Sequence, residues 1–122
     1  MLFRSGLSWI GPKQMPLPGE KMATLWFQAP ATWDVSEAER DETRRVALHE
    51  FGHALGLLHE EERDDATGCD ARGALNVPES AAVAVGPYDA ESIMNRCRTT
   101  KEPVLSEGDV AGIDTLFPNQ HR

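Results

Sequence analysis

Basic side chains are scarce in this chain: 12 Lys and Arg stand against 20 Asp and Glu, a formal net charge of −8. A phosphate-backbone or anionic-membrane partner requires a basic face, so neither nucleic acid nor a membrane surface is an expected partner. No window approaches the ~18 apolar residues of a membrane span, and the opening Met1 to Gly6 lacks the apolar run of a secretory signal. If the protein is exported, this stretch does not carry the signal. Cysteine is limited to Cys69 and Cys97, too far apart for a C-x-x-C metal hook; the pair can be a disulfide, two free thiols or metal ligands. There is no internal repeat and no low-complexity segment. What remains is ordinary for a globular chain: 122 residues, 40% apolar and 26% charged, enough for one domain that buries roughly two thirds of its unfolded surface.

Near the start, Leu7 to Ile10 and Met22 to Phe27 are β-prone runs, separated by Pro12, Pro16, Pro18 and Gly19, which exclude regular structure between them. Two strands alone are unstable, so a larger sheet is expected to complete them. Ser36-Glu37-Ala38-Glu39 has the S-x-x-E pattern of a helix-capping box, and the acidic residues that follow suit a helix N-terminus. The helix is expected to run to about Leu58, buried around much of its second half by Val46, Ala47, Leu48, Phe51, Ala54, Leu55 and Leu58. Gly52 inside it suggests close packing, since glycine costs about 1 kcal/mol there relative to alanine. Residues 60 to 91 show little periodicity beyond a short possible element at Ala81 to Val85. So long an irregular stretch calls for a pin, and a Cys69–Cys97 bridge would supply one worth roughly 3–4 kcal/mol in the chain-entropy model. Ser106 and Asp109 cap a last helix with Val110, Ile113 and Phe117 on one face, stopped by Pro118.

Three of the four histidines fall in one stretch, His49 to His59, which reads H-E-x-x-H-x-x-G-x-x-H. Residues four apart share a helix face, so His49 and His53 can present two imidazoles to one point with Glu50 beside it. Gly56 permits a positive φ, so the chain can turn and bring His59 to the same place. Three neutral imidazoles leave a coordination position open, which is the mark of a catalytic rather than a structural zinc site. His121 and Tyr88 read as a tail residue and a packing residue.

These residues resemble the metzincin zinc peptidases, and among them most closely the astacin family and its bacterial relatives. Glu60 follows the third histidine as it does in astacin-like enzymes, and Tyr88-Asp89-Ala90-Glu91-Ser92-Ile93-Met94 resembles the Y-D-x-x-S-I-M of their Met-turn. The resemblance implies an α+β, metzincin-like (zincin) fold: a small twisted mixed sheet packed on a long zinc-binding helix, then an irregular C-terminal subdomain with a terminal helix. One domain over 1–122 is expected, with sheet and active-site helix in 1–59 and the Met-turn and last helix in 60–122. The family's first strands and first helix have no counterpart in this sequence, so the domain reads as one that begins late.

The resemblance implies one catalytic Zn2+ held by His49, His53 and His59, with Met94 as an apolar floor beneath it. It implies an endopeptidase in which Glu50 activates the zinc-bound water. Ser8, Trp9 and Ile10 form the edge strand on which an extended peptide or protein substrate lies. Glu60 is either an orienting residue behind the metal or part of a solvated acidic run. Where astacins carry a tyrosine two residues past the methionine, this chain has Arg96, which either replaces it as an oxyanion partner or pairs with the acidic loop. The family and the cysteine pair together imply a secreted protein. The alternative is a catalytically weak zinc-binding fragment that needs a partner or further strands. Oligomeric state is left open.

Overall fold

The computed structural model describes residues 6–8, 25–27, 29–32, 34–69 and 83–118, the two strands as backbone. Strand β1 (Gly6–Ser8) pairs antiparallel with β2 (Leu25–Phe27), with Gly6 opposite Phe27, Leu7 opposite Trp26 and Ser8 opposite Leu25. Both lie against helix α1 (Glu37–Ala54). The remainder of the mixed sheet, with Trp9 and Ile10, falls outside the described residues. The chain divides into two compact units, Met1–Leu58 with Lys101–Val104, and His59–Thr100 with Leu105–Arg122.

Helix α1 begins as its capping pattern dictates. Ser36 Oγ accepts from the Glu39 amide at 3.3 Å, and Glu39 Oε2 accepts from the Ser36 amide at 3.1 Å. Along its exposed side, Arg44 bridges Glu37 and Asp41 while Arg45 pairs with Glu42, contacts that contribute little to stability. Thr43, Val46, Glu50 and His53, spaced three or four apart, are all buried, so the inward stripe carries the functional side chains. The expected burial around the whole second half does not occur: Phe51 is 57% and Leu55 44% exposed.

The helix also stops short of Leu58. Gly56 has φ 96°, its amide donates to the His53 carbonyl at 2.8 Å, and the Leu57 amide donates to the Gly52 carbonyl at 3.0 Å. This crossed pair is a Schellman ending, which overrides the apolar continuation Leu57-Leu58 because it satisfies carbonyls left over at the helix end. Gly56→Ala is therefore expected to lower stability by roughly 1–2 kcal/mol, the cost of a left-handed non-glycine residue, read as a fall in the thermal midpoint.

In the second unit apolar burial is thin and polar burial is extensive. Ala66, Cys69, Ile93 and Met94 are buried, but so are Glu61, Ser92, Asn95, Arg98 and Asp109. Cys69 and Cys97 are joined in a disulfide, with Cα atoms 5.8 Å apart. Helix α2 (Glu107–Leu116) has the expected Ser106–Asp109 capping box, yet Val110 is 47% exposed and Leu116 44%. It is anchored by its polar N-terminus rather than by an apolar stripe. Asp109 Oδ1 accepts from Ser92 Oγ at 2.5 Å, and its Oδ2 accepts from the Ile93 amide at 2.8 Å and the Ser106 amide at 3.0 Å. At Gly108 a Cβ would lie 2.5 Å from Asp89 Oδ2, so a larger residue there would displace the Asp89 side chain.

Glu91 ties the following segment back on itself. Its Oε1 accepts from the Thr99 hydroxyl at 2.7 Å and amide at 3.2 Å, and its Oε2 from the Thr100 amide at 3.0 Å. The Thr100 and Thr99 side chains, followed by their amides, hold its carboxyl down to about 2. A depressed carboxyl contributes stability above its unfolded value, about 4.3, and loses it as the pH falls through the folded value. The Glu91 carboxyl resonance is thus expected to titrate near 2 in a folded-state NMR titration; a midpoint at the ordinary glutamate value would remove this anchor.

Candidate metal centre

His49, Glu50 and His53 come from the last turns of α1, and His59 is the residue just before a short 3-10 helix, Glu60–Glu62. One imidazole nitrogen from each histidine lies within 4.8 Å of the others, and the His49 and His53 rings meet edge to face with centroids 4.8 Å apart. The His53 ring is oriented by the helix ending itself. Its Nδ1 is 2.8 Å from the Leu57 carbonyl, and since a carbonyl only accepts, Nδ1 carries the proton and Nε2 keeps its lone pair for a metal. The turn that ends the helix therefore also selects a ligand tautomer.

Glu50 is 6% exposed. Its Oε2 is buried without a hydrogen-bond partner, and burial pushes its carboxyl above the ordinary glutamate range. A buried carboxylate oxygen normally has partners, so this one is suited to a ligand or water held beside the histidines. The donor set of three imidazoles matches the preference of zinc for nitrogen ligands with one position left open. The residues present fit a catalytic zinc ion.

The chain leaving the cluster is fastened at several points. The Glu60 amide donates to the Met94 carbonyl at 3.1 Å, and Glu60 Oε1 accepts from the Asp89 amide at 2.9 Å. Met94 is 3% exposed, and its amide donates to Ser92 Oγ at 3.0 Å. Glu60, the residue after His59, is thus tied to the segment that ends in Met94. Arg96 is engaged by the acidic loop: its Nε pairs with Glu61 Oε1, its amide donates to Glu61 Oε2 at 3.2 Å, and its guanidinium reaches Glu62 at 3.8 Å. Glu61 is 0% exposed; burial alone would raise its carboxyl, but the Arg96 guanidinium overrides this and holds it below the ordinary value.

Sequence reasoning overlooked Glu61, Glu62 and Asn95. The first two sit in an acidic run that reads as solvated. The i, i+3 spacing of Glu62 from His59 was the available signal. Asn95 is 2% exposed and donates to the Tyr88 hydroxyl at 2.9 Å and the Ala90 carbonyl at 3.1 Å. Tyr88, read as packing, in turn donates to the Thr67 carbonyl at 3.2 Å. Among the described residues no helix is long and apolar enough to cross a membrane.

The helix bearing H-E-x-x-H, the glycine turn and the third histidine bring together three imidazoles that could hold a metal ion. The family model of the matrixins matches residues 9–67. Among solved structures, that of myroilysin, a metzincin-type metallopeptidase, is similar over 93% of this chain and 68% of its own, with a TM-score of 0.60 and 25% identity. No curated protein matches the sequence. With the histidine cluster, these likenesses support a metzincin-like fold with zinc as its cofactor.

Proposed function

We propose that the chain is a zinc-dependent endopeptidase in which His49, His53 and His59 hold the metal and Glu50 moves the proton. Two observations carry this reading: three imidazoles whose nitrogens lie within 4.8 Å of one another, and the buried, unpartnered Oε2 of Glu50, the residue next to His49 on the same helix. Zinc, when bound, supplies a Lewis acid that polarises a carbonyl and lowers the pKa of water. The carboxylate of Glu50 then accepts the proton of the attacking water and returns it to the leaving amine nitrogen. Its burial favours the protonated form it must reach halfway through the reaction. The substrate is an extended peptide that pairs with the edge strand of Ser8, Trp9 and Ile10; Ser8 belongs to β1, whose single partner among the described residues is β2.

In this reading Met94 would supply an apolar surface to the metal centre, and Glu60 orients the chain behind His59. Glu60 and the Tyr88 to Met94 run support an astacin-like placement, while the matrixin match over residues 9–67 supports the neighbouring branch; both imply the same chemistry. Arg96, occupied by Glu61 and Glu62, acts better as a brace than as an oxyanion partner. The Cys69–Cys97 disulfide supports an oxidising, extracellular setting.

The test is hydrolysis of a quenched-fluorescence peptide library. Activity is expected to vanish with 1,10-phenanthroline and to return on adding a slight excess of zinc. Hydrolysis that survives complete removal of metal would overturn the reading.

A further inference from the structure

Resting on the reading of His59 as a zinc ligand, we infer that Glu62, braced by Arg96, is a positioning residue for that ligand. Glu62 Oε2 lies 3.7 Å from His59 Nδ1. The approach is built into the backbone: the Glu62 amide donates to the His59 carbonyl at 3.2 Å, closing the 3-10 turn that sets the two side chains three residues apart on one side. The Glu62 side chain is 8% exposed, so its charge is weakly screened by solvent.

A carboxylate facing Nδ1 favours the tautomer with the proton there, leaving the Nε2 lone pair for the metal and making the ring a better donor. His53 reaches the same tautomer by a different device, the Leu57 carbonyl. The two rings are thus matched although one is held by backbone and the other by a side chain. A buried carboxylate facing a ring needs its own partner, and the Arg96 guanidinium lies 3.8 Å from Glu62 Oε1. Arg96 does not drift, because Glu61, fully buried, takes both its Nε and its amide. Glu61, Arg96 and Glu62 form a chain of charges ending on the third histidine.

The experiment measures the zinc dissociation constant of the whole chain by competition with a chromophoric chelator. It compares the parent, Glu62→Gln and Glu62→Asp, and follows the His59 ring by long-range 1H–15N NMR of the zinc-loaded proteins. Glu62→Gln is expected to weaken zinc binding roughly 10- to 100-fold, with the thermal midpoint of the chelator-treated protein within about 2 °C of the parent. Glu62→Asp is expected to restore part of the affinity, and the parent is expected to show a protonated His59 Nδ1. Zinc affinity within twofold of the parent in Glu62→Gln, or a proton on Nε2 of His59, would overturn the inference while leaving the zinc site intact. A parent chain that fails to bind zinc would instead overturn the reading on which it rests.

Discussion

Glu50→Gln is expected to lower kcat/KM by roughly 10²- to 10⁴-fold, the usual contribution of a general acid–base group, while zinc remains bound. The substitution keeps the side-chain volume, so the buried stripe of Thr43, Val46, Glu50 and His53 stays packed. What it removes is a group that can take a proton and give it back. The amide cannot accept the proton of water, so neither formation nor collapse of the tetrahedral intermediate is assisted. Metal content is measured in parallel by atomic emission, because a variant that lost zinc would be inactive for another reason. A zinc-loaded Glu50→Gln protein with activity within threefold of the parent would sink the assignment of Glu50. Stability is expected to rise slightly or hold, since a buried carboxylate with an unpartnered Oε2 is replaced by a neutral group.

Asp109→Ala is expected to lower stability by roughly 2–4 kcal/mol. Its carboxylate accepts from Ser92 Oγ, the Ile93 amide and the Ser106 amide. Alanine would remove the carboxylate that the amide of Ile93, a residue 2% exposed, donates to, and a hydrogen bond to a charged group contributes about 1.5–3 kcal/mol. The carboxylate half of the α2 capping box is lost with it, while Ser106 Oγ still accepts from the backbone amide at position 109. For a chain of this size the thermal midpoint should fall by on the order of 10 °C, with zinc removed from both samples so that ligand binding does not mask the difference. A fall of less than about 2 °C would show that the segment from Ser92 to Met94 holds its conformation without this carboxylate.

The two outcomes separate chemistry from scaffold. Glu50 is expressed in rate and hardly in stability, whereas Asp109 is expressed in stability first.

Much of this was legible without coordinates, and the reason is local. The S-x-x-E cap, the i, i+4 histidines and the glycine that follows act over a few residues, so pattern alone locates α1, places His49 and His53 on one face and allows Gly56 its φ of 96°. The S-x-x-D cap of α2 was legible on the same grounds. The Cys69–Cys97 bridge rested on the length of the irregular stretch it closes, and the two residues are joined.

Other features depend on residues distant in sequence. That Val110 faces solvent while Asp109 is buried contradicts the helical pattern, because the partners of Asp109 sit at Ser92 and Ile93 rather than within α2. The end of α1 at Ala54 reflects a competition between apolar continuation and a Schellman turn, which backbone hydrogen bonding decides. The acidic run Glu60 to Glu62 is the sharpest case. Its composition reads as a solvated face, yet Glu60 binds the Asp89 amide, Glu61 is buried against Arg96, and Glu62 faces His59.

The sequence by itself determined the metal-binding chemistry of this protein, because ligand spacing on a helix is a property of the helix and needs no partner. Only the tertiary structure decided how the chain after the third histidine and the segment ending in Met94 are held. Those contacts join carboxylates to backbone amides some thirty residues further along the chain, and no local pattern encodes which carboxylate of an acidic run will find a buried partner.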